Sequence, residues 1–325
     1  MAKYLVTGAA GFIAARVSEM LLDAGHTVVG IDNMNDAYDV RMKEYRLKEL
    51  SSAAGFTFHQ RDIADPATLA FLEAQQPGFE AVINLAARAG VRASVQDPWT
   101  YLETNTTGTL NMLELCRRTG IPKFILASTS SIYGHDAPLP TPETASSDRP
   151  LQPYAATKKG AEAMCHAYHY LHGIDVSIVR YFTVYGPAGR PDMVMFRFAK
   201  WISEGQPVQI NGDGEQTRGF TYIDDIARGT ILALKPVGYE IINLGGHESI
   251  SINDLLKMFE EKIGRQARVE YGPRHPADSL ANQADVTRAG ELLGWEARYS
   301  LEQGVSELID WYNRERSWVS QIRTS

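Results

Sequence analysis

Tyr154 and Lys158 stand four residues apart in a stretch with helical spacing, which puts both side chains on one helix face. An ammonium beside a phenol favours the phenolate, so the pair supplies a base for taking a proton from a hydroxyl. A carbon whose hydroxyl loses its proton can then give up a hydride, which calls for an acceptor. The start of the chain supplies the signal for one. The apolar run Tyr4-Leu5-Val6 reads as a strand and leads into Thr7-Gly8-Ala9-Ala10-Gly11-Phe12-Ile13-Ala14. Gly8 and Gly11 permit close backbone approach, Phe12 and Ile13 open a helix, and Ala14 takes the place of a third glycine. Such a turn aims backbone N–H groups and a helix N-terminus at a pyrophosphate. Asp32 ends the second apolar run, where a carboxylate accepts hydrogen bonds from adenosine ribose hydroxyls and repels a 2′-phosphate. The expected cofactor is NAD rather than NADP. Singly, Tyr154 and Lys158 read as an exposed helix pair and Asp32 as a turn residue before Asn33. Together they read as a redox site acting on a hydroxyl group.

The elements that must position these groups alternate through the first half. Strand-like runs fall at Tyr4–Thr7, Thr27–Ile31, Thr57–His59, Ala81–Leu85, Phe124–Ala127 and Val176–Arg180, with helical stretches between them. That alternation predicts an α/β fold with a doubly wound parallel sheet of Rossmann type. Charges through Asp39–Leu50 predict a solvated helix. Gly134–Pro153 carries five prolines and little periodicity, and reads as a loop over the site. Beyond Arg180 the pattern breaks into short strands (Val208–Ile210, Gly219–Tyr222) and helices near Met193–Glu204, Ile223–Leu234, Ile252–Ile263 and Leu301–Tyr312. The expectation is an NAD-binding domain over 1–178, with segments near 214–245 returning to it. A smaller C-terminal substrate domain then takes 179–213 and 246–325.

With 325 residues and 44% hydrophobic content the chain supports a sizeable core. Its formal charge of −7 argues against nucleic acid or an anionic membrane as partner. No stretch reads as a secretory leader, and no apolar run is long enough to span a bilayer. Cys116 and Cys165 lie in helical patterns and read as buried thiols of a cytoplasmic protein. Cys165, His166, His169 and His172 invite a metal reading, but the spacing lacks a second ligand pair or a His-Glu-x-x-His, so no metal is expected.

Over nearly its whole length the chain resembles the extended short-chain dehydrogenases/reductases, specifically the NAD-dependent sugar-nucleotide epimerases. Thr7–Ala14, Asp62-Ile63, Leu85-Ala86-Ala87, Ser128–Gly134, Tyr154–Lys158, Arg180–Pro187 and Thr217–Asp225 carry the resemblance. Gly30–Asp36, Ala89-Gly90-Val91-Arg92, Phe182–Pro187 and Arg190-Pro191-Asp192-Met193 resemble the branch that acts on UDP-uronates. The resemblance implies cofactor contacts from Asn33, Asn35, Asp62 and Ile63 on the adenosine side. Leu85–Ala87 should line the pyrophosphate and ribose path, with Asn105 and Tyr181 near the nicotinamide. It places Thr129 as the hydroxyl that hydrogen-bonds the reacting group. It also implies substrate contacts from Arg92, Ser130, Ser131, Thr183, Arg190, Met193, Gln209, Arg218 and Asp278. Gly219 stands where the family usually has aspartate, and His275 where many relatives have arginine. Arg274 is a further candidate for the diphosphate. A homodimer is implied through helices near Trp99–Thr119 and Tyr154–Leu171, with Leu110, Leu113, Tyr168 and Leu171 as a seam.

The residues after Thr129 separate related reactions. Dehydratases of the family carry Asp-Glu there and decarboxylases a glutamate, whereas Ser130-Ser131 offers no carboxylate base. Epimerisation at sugar carbon 4 is therefore expected: oxidation to a ketone, rotation, and return of the hydride to the other face. The expected substrates are UDP-glucuronate and UDP-galacturonate. A UDP-hexose is the alternative, and a decarboxylase or a non-catalytic nucleotide sensor stands further off.

Overall fold

The computed structural model describes residues 1–75, 78–246, 248–273 and 281–324. Its strands are β1 (Lys3–Thr7), β2 (Thr27–Asp32), β3 (Phe56–Gln60), β4 (Ala81–Asn84), β5 (Lys123–Thr129), β6 (Asp175–Tyr181), β7 (Thr183–Tyr185), β8 (Val208–Asn211), β9 (Thr217–Tyr222), β10 (Tyr239–Leu244), β11 (Ser249–Ser251) and β12 (Val269–Gly272). Seven of them form one parallel sheet in the order β10-β6-β5-β4-β1-β2-β3. Every residue of β4 and β5 is buried, because helices cover both faces. One face packs Met112, Leu113, Cys116 and Cys165 over the sheet, and the other packs Ala14, Val17, Ile226 and Trp295.

The strand order reverses between β1 and β4, and the crevice at a reversal is where such sheets take their ligands. Buried polar groups fix that point. The Thr7 hydroxyl donates to Asn84 Oδ1 at 2.7 Å and accepts from the Ala86 N–H at 3.1 Å. Asn84 donates in turn to Thr109 Oγ1 at 3.1 Å.

The later part of the chain builds a three-stranded sheet, β11-β9-β7, and a parallel pair, β12-β8. Helices Val194–Glu204, Ile252–Ile263 and Leu301–Arg314 pack there around an aromatic core that includes Phe196, Phe198, Phe259 and Tyr312. β10 pairs along β6, at the edge of the large sheet.

Three expectations are revised. The helix after β2, Arg41–Ser51, is not merely a solvated one: Met42, Lys43, Arg46 and Leu50 are buried. Arg46 is tolerated inside because the carbonyls of Ala10, Ala188 and Gly189 and the Tyr38 hydroxyl accept from it at 2.7 to 3.2 Å. The stretch Trp99–Thr119 is no single α-helix. A π-helical segment, Leu102–Thr107, separates Pro98–Tyr101 from Gly108–Thr119. Leu113 is fully buried in the chain's own core, so it lies outside any subunit seam.

Candidate active site

A cavity of about 1210 Å³ runs along the carboxyl ends of the sheet strands and under the later part of the chain. At one end lie Gly8, Gly11, Phe12, Ile13, Asp32, Asn33, Asn35, Asp62, Ile63 and Leu85–Ala87. Gly8 has φ +69°, and a Cβ there would come within 2.8 Å of the Ala86 backbone. Gly11 caps the helix Phe12–Asp23 with no side chain, and that helix has no acidic residue in its first turn. The leading N–H groups and the positive end of the helix dipole are thus left for an anion. Ala14, in the third glycine's place, is buried against the sheet.

Asp32 accepts from the Met34 N–H at 2.8 Å and from Lys43 Nζ at 3.2 Å. Lys43 also reaches Asn35 Oδ1 at 3.3 Å, and Asn33 donates to Asp62 at 2.8 Å. These residues form one polar cluster of the kind a ribose and adenine need, so the wall fits a dinucleotide. Asn105 does not reach the cavity wall. It is fully buried, accepts from the Arg88 N–H at 2.9 Å and donates to Thr157 Oγ1 at 3.1 Å. It thereby ties the loop after β4 to the helix bearing Tyr154. Tyr181 lines the wall, with its hydroxyl held by Thr230 at 2.8 Å.

Tyr154 and Lys158 project from the helix Pro153–His172, which starts with proline at its first position, where the missing N–H costs nothing. Both line the cavity, as do Thr129 at the end of β5 and Ser130 and Ser131 just after it. Burial pushes the Tyr154 phenol above its ordinary pKa; its hydrogen bond with Thr129 and the Arg190 charge pull the other way and do not win. Burial also lowers Lys158 to about 8, against the opposing influence of Cys165 and Glu162.

Behind these groups sits a buried network with no counterpart in the sequence reading. Glu162 makes a two-pronged ion pair with Arg180 at 2.9 and 2.7 Å and accepts from the Ser128 hydroxyl at 2.6 Å. Arg180 also donates to the Tyr133 hydroxyl at 2.9 Å, which donates to Asn243 at 2.7 Å. A charged residue inside the apolar strand β6 was the one available signal.

At the other end of the cavity lie Arg92, Thr183, Arg190, Met193, Gln209 and Arg218. Arg190 pairs with Asp192 at 2.6 Å; burial works against the Asp192 carboxylate, yet this cation holds it below its usual range. Asp278, Arg274 and His275 lie outside the described residues. Asn282, absent from the sequence reading, lines the cavity and donates to Ser130 Oγ at 3.1 Å. The histidines of the helix Pro153–His172 are engaged in packing and hydrogen bonding: His166 and His169 lie against Tyr239, and His169 Nδ1 meets the Ile174 carbonyl at 2.8 Å.

Gly8, Gly11, Asp32, Tyr154, Lys158 and Thr129–Ser131 share one cavity, and residues 4–245 match the model of the NAD dependent epimerase/dehydratase family, to which the chain belongs. It is 53% identical to a UDP-glucuronate 4-epimerase of Thermodesulfobacterium geofontis, over 99% of this chain and 100% of that one. A UDP-glucuronic acid 4-epimerase from Bacillus cereus, solved with UDP-glucuronic acid and NAD, superposes with a TM-score of 0.88 at 37% identity, covering 96% of this chain and 99% of that one. A UDP-glucose 4-epimerase from Thermotoga maritima with UDP-glucose gives 0.87 at 31% identity, covering 97% and 99%.

Proposed function

We propose that the chain interconverts UDP-glucuronate and UDP-galacturonate at sugar carbon 4, with Tyr154, Lys158 and Thr129 at the reacting centre. The observation that carries this is that Tyr154, hydrogen-bonded with Thr129, lines one cavity with Lys158, Ser130, Ser131 and the glycine turn at Gly8 and Gly11, with no carboxylate among the three residues that end β5 and follow it. NAD, when bound, would supply an acceptor for the hydride of carbon 4 and a donor for its return, so the reaction needs no net oxidant. Tyr154 takes the proton of the 4-hydroxyl and gives it back after the sugar has turned over. Thr129 hydrogen-bonds the reacting oxygen. Lys158, one helical turn from Tyr154, supports the phenolate and holds the nicotinamide ribose.

Oxidation at carbon 4 makes a β-keto acid, which tends to lose carbon dioxide. Ser130, Ser131 and Thr183 are neutral donors, able to hold the carboxylate without giving an acid to the neighbouring carbon. Arg92, Arg190, Met193, Gln209, Arg218 and Asp278 are assigned to the rest of the UDP-sugar. The cofactor contacts are assigned to Gly8, Gly11, Phe12, Ile13, Asp32, Asn33, Asn35, Asp62, Ile63, Leu85–Ala87 and Tyr181. Asn105 acts behind them, as a positioning residue. We divide the work between a cofactor domain, 1–178 with segments near 214–245, and a nucleotide-sugar domain, 179–213 with 246–325.

A homodimer through the helices on the sheet's outer face is part of the same reading. Trp99, Leu102, Met164, Tyr170 and Leu171 are exposed on these helices. The two unpaired, buried cysteines suit a reducing cytoplasm. Among the described residues no helix is long and apolar enough to cross a membrane. Incubating the pure protein with a panel of UDP-sugars and identifying products by NMR tests the proposal. UDP-galacturonate from UDP-glucuronate, with little UDP-pentose, is the expected result. Dominant pentose would mean decarboxylation, and faster turnover of UDP-glucose would mean a hexose epimerase.

A further inference from the structure

The hydroxyls after β5 are not equivalent, and hydrogen-bond accounting shows why. Ser130 Oγ accepts from Asn282 Nδ2 at 3.1 Å. Thr129 Oγ1 accepts from the Ser131 N–H at 3.1 Å, lies 3.2 Å from Ser131 Oγ and is also hydrogen-bonded with Tyr154, so its one hydrogen is not Ser131's alone. A serine hydroxyl has one hydrogen to give and two lone pairs to receive with. With the Asn282 amide already seated on its oxygen, Ser130 keeps its hydrogen for something else. It lines the cavity. A partner that only accepts, such as a carboxylate, meets a ready donor there. A sugar hydroxyl, which must also place its own hydrogen, finds fewer acceptors.

Asn282 is held in place through its backbone and its neighbours. Its carbonyl accepts from the Gly219 N–H at 2.7 Å, so its backbone is tied to β9. The next residues are bound to the loop over the site: Thr141 N–H donates to the Gln283 carbonyl at 2.9 Å, and Asp285 N–H donates to the Thr141 carbonyl at 3.0 Å. Asn243 donates to the carbonyls of Thr141 and Asp285 at 2.9 and 3.2 Å. The segment 282–285 is thus sewn to β9, β10 and the loop, and presents one amide to Ser130.

We propose that Asn282 is a specificity-determining positioning residue: by donating to Ser130 it turns that hydroxyl into a donor aimed at an anionic substituent of the sugar. The inference rests on the uronate reading above and adds to it the residue that sets the polarity. The direction of the bond is what matters, so the isosteric change Asn282→Asp is the sharp perturbation. An aspartate carboxylate accepts only, and the Ser130 hydrogen would then turn toward residue 282 and away from the cavity.

The experiment compares kcat/KM for UDP-glucuronate and UDP-glucose in the NAD-loaded enzyme, its Asn282→Ala and Asn282→Asp variants, Ser130→Ala, and Ser130→Ala combined with each. Retained NAD and an unchanged thermal midpoint serve as the check on folding. The uronate-to-hexose ratio should fall by about tenfold to a hundredfold in Asn282→Asp, the range for a hydrogen bond to a charged group, and less in Asn282→Ala. In the Ser130→Ala background neither change should move the ratio further. Equal losses on both substrates would assign Asn282 a purely structural role and overturn the proposal. So would a ratio that still falls in the Ser130→Ala background, since the effect would then be direct repulsion by residue 282. An unmodified enzyme that prefers UDP-glucose would overturn the uronate reading itself, a result visible before any variant is made.

Discussion

Replacing Glu162 by leucine leaves the Arg180 guanidinium without its counter-charge at a position only 1% exposed. Two charge-assisted bonds of 2.9 and 2.7 Å disappear, and the Ser128 hydroxyl loses its 2.6 Å acceptor. Breaking one side of a buried pair costs about 3–5 kcal/mol, because the remaining charge stays desolvated. Arg180→Met should cost a similar amount, for it strands the Glu162 carboxylate. The double variant removes both charges and fills the space with apolar atoms, so the largest cost vanishes. What remains is the loss of partners for Ser128 and Tyr133, about 1–3 kcal/mol for each group left unsatisfied. The double variant should therefore be no worse than either single one, giving a strongly non-additive cycle. Denaturation midpoints and slopes in urea, at one fixed NAD concentration, measure this. Turnover should follow stability only in part. Ser128 leads directly into Thr129, and Lys158 stands one helical turn before Glu162, so even the double variant should lose kcat while binding substrate normally. Additive single effects would refute the account, as would a Glu162→Leu variant within about 1 kcal/mol of the unmodified protein.

Three further outcomes are expected. Tyr154→Phe should lose about 100- to 10,000-fold in turnover while retaining UDP-sugar binding, measured by steady-state rates and calorimetry; near-normal rates would mean another base. Because burial lowers Lys158 to about 8, the folded chain gives up that proton before the unfolded chain does, so its contribution makes stability rise from about pH 8 toward the ordinary lysine pKa. Urea midpoints of the ligand-free protein at several pH values should show that rise, and Lys158→Met should remove it. Nucleotide released from denatured pure protein should be NAD in amounts comparable to the chain, and Asp32→Ala should reduce what is retained; stoichiometric NADP would contradict the reading of Asp32.

The residues the fold gathers around one cavity were legible in the sequence because their signals are local. A glycine turn after a strand, an acid at the end of the next strand and a Tyr-Lys pair at helical spacing each follow from backbone geometry over a few residues. The parallel sheet followed from the alternation of apolar runs, since strands buried on both faces need no pattern beyond continuous hydrophobicity. Tertiary structure decided what depends on partners distant in sequence. Glu162 with Arg180 reads as two ordinary charges until β6 and the Tyr154 helix meet. Lys43 and Arg46 read as solvated until Asp32 and Asn35 receive the one and the carbonyls of Ala10 and Ala188 the other. Asn282 meets Ser130 only because the fold brings together residues 152 positions apart. The physical reason is the same in each case: a polar group is stable inside only where a partner comes to it, and the partner is supplied by the fold rather than by the neighbouring sequence.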